Sequence, residues 1–111
     1  MNKTTIKNNL YKVEQFHHAN QFIIRSLNGG EIAFQSYDSL IAVVEDKIGE
    51  PYRLTLGRDW DYSNTTLRHL YLFLEQWGNY EVRTALYSSN KKKAIQRLID
   101  KGVVAYDEDM R

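Results

Sequence analysis

The sequence predicts an α+β domain: an antiparallel β-sheet of about four to five strands packed against two or three C-terminal helices, with a short last strand. Three observations predict it. Apolar residues alternate with period two through the first half of the chain. After Gly57 the period changes to that of a helix. Turn formers, Asn28-Gly29-Gly30 and Gly49-Glu50-Pro51, separate the strand-like runs. With 111 residues the chain reads as one domain, 1–111, in the size range of a single hydrophobic core.

The elements follow in order. Tyr11, Val13 and Gln15 alternate against Lys12, Glu14 and Phe16, a strand pattern. Residues 21–27 are rich in β-branched and aromatic side chains, and Asn28-Gly29-Gly30 follows at once. Residues 31–35 alternate again, with Ile32 and Phe34 on one face, so the two runs form a hairpin. The apolar run 39–45 favours strand through its Ile and Val content. Residues 52–56 place Leu54 and Leu56 inward, and Gly57 ends them. The four strands between residues 21 and 56, joined by short turns, suggest an antiparallel meander.

Leu67, Leu70, Tyr71, Leu74 and Trp77 then recur at helical spacing, with Ser63 or Asn64 as N-cap and Gly78 at the exit. Residues 79–89 fit one or two helical turns. Asn90 caps a helix over 91–101 whose buried face is Ala94, Ile95, Leu98 and Ile99. Gly102 ends it, residues 103–106 read as the last strand, and the tail 107–111 is expected to fray.

Composition excludes several function classes. Cysteine is absent, which removes disulfides, thiolate chemistry and cysteine-ligated metals, and agrees with a reducing compartment. Met1-Asn2-Lys3-Thr4-Thr5 leads into no apolar leader, and no apolar run is long enough for a membrane helix. A net charge of +1 leaves no global nucleic-acid footprint.

The chain carries no recognisable catalytic motif: no G-x-S-x-G, phosphate-binding loop or H-E-x-x-H occurs. Asp59, Asp61 and Ser63 occupy calcium-loop positions 1, 3 and 5. Asn64 and Leu70 stand where the loop requires Gly and Glu, so the metal reading fails. Their carboxylates suit a helix N-terminus, and Arg58 can pair with either. His17 and His18, read as neighbours in a strand, point to opposite faces, and His69 has no ligand partner four residues away. No metal, cofactor or catalytic residue is expected, and the chain reads as no enzyme.

Two surfaces remain. Arg58, Asp59, Trp60, Asp61 and Tyr62 combine aromatic and charged groups where strand gives way to helix, the composition of protein-binding hot spots. Tyr37, Trp77, Tyr80 and Tyr87 add to a set of rings too large to bury completely. Lys93, Arg97 and Lys101, extended by Lys91 and Lys92, form a cationic stripe that suits phosphates, the alternative nucleic-acid-binding surface.

Phe34-Gln35-Ser36-Tyr37-Asp38-Ser39-Leu40-Ile41-Ala42, followed by Asp59-Trp60-Asp61-Tyr62-Ser63-Asn64-Thr65-Thr66 and a Leu/aromatic helix, resembles small proteins encoded by phages and plasmids of Gram-positive bacteria. In that group an F-x-S-Y-x-[ST] strand end precedes a W-x-Y-S-x-T-T helix start. A Lys-rich closing helix ending in Lys-Gly matches residues 91–102, and the resemblance spans roughly residues 16–106. It implies a mobile-element accessory protein of the host bacterial cytoplasm that binds and blocks a host macromolecule. A CRISPR effector nuclease is the most concrete such partner. No membrane is involved, and the oligomeric state is open. The group carries no assigned activity, so no catalytic residue transfers. Its shared motif reads as structural, with Ser63 and Thr66 satisfying helix N–H groups while Trp60 and Tyr62 pack the junction.

Overall fold

A computed structural model describes residues 11–27 and 29–111. Asn28 of the expected turn and the segment Met1 to Thr5, read as leading into no apolar leader, lie outside the described residues. The strands are β1 (Tyr11–Phe16), β2 (His18–Ser26), β3 (Glu31–Ser36), β4 (Ser39–Glu45), β5 (Arg53–Gly57) and β6 (Ala105–Asp107). Between β5 and β6 lie helices α1 (Asn64–Trp77), α2 (Tyr80–Ala85) and α3 (Lys91–Asp100). The fold is α+β, as the change of period at Gly57 requires.

The six strands form one sheet in the order β1-β2-β3-β4-β5-β6. The first five pair antiparallel, the meander that short turns dictate. The sixth departs from the expected all-antiparallel sheet. It runs parallel to β5, with Thr55 opposite Ala105 and Leu56 opposite Tyr106. Three helices carry the chain back before β6 begins, and a crossover of that length is what parallel pairing needs.

The helices cover one face of the sheet. Ile23, Phe34, Val44, Leu54 and Leu56 from the strands join Leu70, Phe73 and Leu74 from α1 in one buried cluster. Val82 of α2, Ile95 of α3 and Val104, just before β6, belong to the same cluster. At about 1.5–3 kcal/mol for each fully buried side chain, this cluster is the main driving force for the fold. Phe34 stacks on Phe73 with ring centroids 5.9 Å apart, and Phe73 meets Trp77 at 5.1 Å. Arg25 lies over the Trp77 ring at 5.8 Å and closes this edge of the core.

One local feature departs from the alternation read in the sequence. His17 is not a strand residue: it turns the chain between β1 and β2 with φ 64°, so the opposite-face argument for His17 and His18 does not apply. The region 79–89 holds the one or two helical turns read there, as the short helix α2, whose N-cap Asn79 accepts the Val82 N–H at 3.1 Å.

Gly57 is the point where β5, β4 and the end of the chain converge. A Cβ there would lie 2.5 Å from the Leu40 carbonyl oxygen and 2.7 Å from that of Met110. Only glycine leaves room for that approach. The tail, expected to fray, closes on this point, where the Arg58 N–H donates to the Met110 carbonyl at 3.1 Å.

Candidate functional site

Two tight turns carry the chain from β5 into α1. Trp60 N–H donates to Gly57 C=O and Tyr62 N–H to Asp59 C=O, each at 3.1 Å. These turns swing Trp60 inward, where it is 3% exposed, and leave Tyr62 outward at 81%. Trp60 therefore seals the junction from behind, while Tyr62 does not pack against it. Ser63 is the N-cap, accepting the Thr66 N–H at 3.1 Å.

The Thr66 hydroxyl does something the capping reading missed. It accepts from Ser63 Oγ at 3.1 Å and lies 3.2 Å from Ser36 Oγ at the end of β3. Because Ser63 donates to it, its own proton is free to point at Ser36, which gives a short cooperative chain of hydroxyls. Beside it, Ser39 donates to Asp59 Oδ2 at 2.9 Å. The two motif segments, far apart in sequence, thus meet through side-chain hydrogen bonds.

A cleft of about 460 Å³ opens over this seam, with Ser36 and Thr66 among its lining residues. Its walls are Tyr37 from the β3–β4 turn and Ser39 at the start of β4, facing Asp59 and Tyr62 from the turns before α1 and Thr65 in its first turn. Tyr37 is 57% exposed and holds φ 53°, a conformation that bulky residues rarely adopt. Its N–H donates to the Asn20 carbonyl at 2.6 Å, and Asn20 itself sits at φ 67°. Local backbone strain of this kind costs about 1–3 kcal/mol per residue and persists only where surrounding contacts enforce it. A second depression of about 430 Å³ lies at the opposite end of the sheet, among Glu45, Lys47, Glu50 and Arg53, and no residue of the two segments 34–39 and 60–66 lines it.

Four polar side chains are buried among the described residues: Gln21, Ser36, Thr66 and His69. All four sit near this end of the sheet. Gln21 stands opposite Ser36 on β2 and is wholly buried, yet neither its Nε2 nor its Oε1 has a hydrogen-bond partner. His69 places Nδ1 2.9 Å from the Thr65 carbonyl. A carbonyl only accepts, so Nδ1 is the donor in this bond. His18 approaches it with ring centroids 6.2 Å apart. Sequence reading missed Gln21, since a glutamine after Asn20 at the start of an apolar run carries no signal of which way it points.

The remaining predicted residues separate by position. Arg58 is exposed, and among the described residues it forms no ion pair; Asp59 is held by Ser39 instead. Asp61 pairs with Lys92 of α3, 3.7 Å away. Lys91, Lys93 and Arg97 on α3 and Lys101 at its C-cap are all exposed, so the acidic loop and the cationic stripe adjoin through Asp61 and Lys92. Tyr80 and Tyr87, 79% and 90% exposed, flank the same region along the chain.

Chemically the cleft offers hydroxyls, one carboxylate and two tyrosine rings. Among the described residues no hydroxyl is hydrogen-bonded to a histidine, and no group of three His, Cys, Asp or Glu side chains is placed to hold a metal. The arrangement can form hydrogen bonds and stack.

Compared with known proteins, residues 4–96 match the model of a family of unknown function, DUF8033. The chain belongs to that family. The match covers both motif segments and therefore the cleft they build. No curated protein and no solved structure matches the chain. Among the described residues, no helix is long and apolar enough to cross a membrane.

Proposed function

We propose that this protein is a non-enzymatic binding module, and that its contact surface is the cleft between the β3–β4 turn and the start of α1. The observation that carries this reading is the pair of outward tyrosines, Tyr37 and Tyr62, on the two walls of a cleft rooted in the buried seam. Tyrosine brings large contact area and a polar tip at small entropic cost, which suits a protein partner. Asp59 and Arg58 add charge at the rim, while buried Trp60 holds the loop in shape. The resemblance of the motif to phage and plasmid proteins makes the partner a host macromolecule of the bacterial cytoplasm, most concretely a CRISPR effector nuclease.

The test is a binding assay between the purified chain and candidate effectors, with cleavage measured in parallel. Tyr37→Ala with Tyr62→Ala is expected to abolish binding and leave the melting temperature nearly unchanged. Binding that survives the double change would overturn the cleft as the contact surface.

A second reading is favoured by one observation, the exposure of Tyr87, which precedes Lys91, Lys92 and Lys93 in the chain by about one turn of helix, together with the exposure of those lysines. Stacking rings beside lysines suit single-stranded nucleic acid. A gel shift that weakens steeply with salt, and is lost in Lys93→Glu with Arg97→Glu, would support it over the first.

A further inference from the structure

The outer edge of β1 is an unmatched row of backbone groups: among the described residues, β1 pairs only with β2. Edges of this kind are normally disarmed by proline, by bulges or by charges that repel an incoming strand. Residues 11–16 contain no proline, and the bulge lies at the far end, between Gln15 and Phe16. Tyr11 and Val13 are 48% and 60% exposed. The charges on the strand do not repel a copy of themselves. Lys12 and Glu14 lie on the same face, either side of Val13, and have opposite sign.

We propose that this edge is the contact surface for a second copy of the chain, paired antiparallel about Val13 on a two-fold axis. In that register each Lys12 stands opposite the partner's Glu14, the two Val13 side chains meet, and Tyr11 faces the partner's Gln15. The pairing is isologous and closes on itself.

Two features of the single chain fit it. Lys12 stands directly opposite Arg25 across β1 and β2, an unfavourable like-charge pair. Glu14 Oε1 is drawn to Arg25 at 3.1 Å, so Lys12 has no acidic partner among the described residues. The partner's Glu14 supplies one. On the face away from the helices, Val13, Ile24, Ala33, Val43, Thr55 and Ala105 lie opposite one another in a single row across all six strands. The proposed register joins the two rows at Val13 into one continuous sheet. This inference stands apart from what the cleft binds.

Sedimentation of the full chain over about a hundredfold range of concentration tests it. The chain is expected to dimerise reversibly. Lys12→Glu alone, or Glu14→Lys alone, should weaken self-association at least about tenfold by turning two attractions into repulsions. An equimolar mixture of those two variants should form a heterodimer again. The milder Lys12→Gln with Glu14→Gln should weaken association in the same direction, which keeps the test sharp if a reversal harms folding. A chain that stays monomeric throughout would overturn the proposal. So would a dimer indifferent to these changes.

Discussion

Ser36 Oγ and Thr66 Oγ1 lie 3.2 Å apart in a buried seam, joining the end of β3 to the first turn of α1 across thirty positions of sequence. This contact makes the two motif segments one structural unit. It also fixes where α1 starts relative to the sheet, and hence the width of the cleft between Tyr37 and Tyr62.

If the two hydroxyls act together, their losses should not add. Ser36→Ala and Thr66→Val are each expected to cost about 1–2 kcal/mol, since each strands a buried hydroxyl. The double variant should cost less than the sum, with a coupling of about 0.5–1.5 kcal/mol. Urea unfolding of the four proteins measures it. Full additivity would mean that the seam is held by its neighbours and not by this bond.

Gln21 makes the opposite prediction. Its amide is buried with both polar atoms unpartnered, which costs about 1–3 kcal/mol per unsatisfied group. Gln21→Met keeps nearly the same length without the polar atoms, so it should raise the melting temperature by several degrees. A lower melting temperature would show that the amide is satisfied in solution, by water or by a ligand reaching it past Ser36.

Most of the fold was legible in the residues. Ile32, Phe34, Leu54 and Leu56 point inward as their alternation requires, and Ser63 caps α1 as its position implies. The parallel β6 was not legible, because a three-residue strand carries no record of its direction; only the length of the helical crossover does. The site was half legible. Tyr62 and Asp59 line the cleft, but Trp60 of the same run is buried, since two tight turns reverse which side chains face out. Ser36 and Gln21 were hidden for another reason. Their importance comes from a cross-strand pairing and a long-range contact, neither of which leaves a local pattern.

Trp60 and Tyr62 should therefore separate stability from binding. Trp60→Ala removes a ring that is 3% exposed and is expected to cost about 3–5 kcal/mol. Tyr62→Ala, at an 81% exposed position, should change stability by less than about 0.5 kcal/mol. Binding to a partner should respond in the reverse order, once measured at a temperature where both variants are folded. Equal effects of the two changes on melting would contradict the placement of the rings.

Tyr52 gives the fold a defined alkaline limit. Its hydroxyl donates to the Trp77 carbonyl at 3.0 Å, tying β5's approach to the end of α1. Burial pushes its pKa from 10.0 up to about 12; the Asn79 N–H and Arg83 oppose this, and the Asp46 carboxylate adds to it. The folded state thus holds the phenol proton more tightly than the unfolded state does. Between pH 10 and about 12 the folded chain binds more protons, so stability falls as pH rises through that window and is fully present below it. Tyr71 is shifted the same way by burial, so it steepens the same limb. Tyr52→Phe should cost about 1 kcal/mol at neutral pH through the lost hydrogen bond. Above pH 10 its urea midpoint should decline less steeply than that of the parent, so that the two curves converge. Parallel curves would mean that ionisation of Tyr52 is not what limits the fold in alkali.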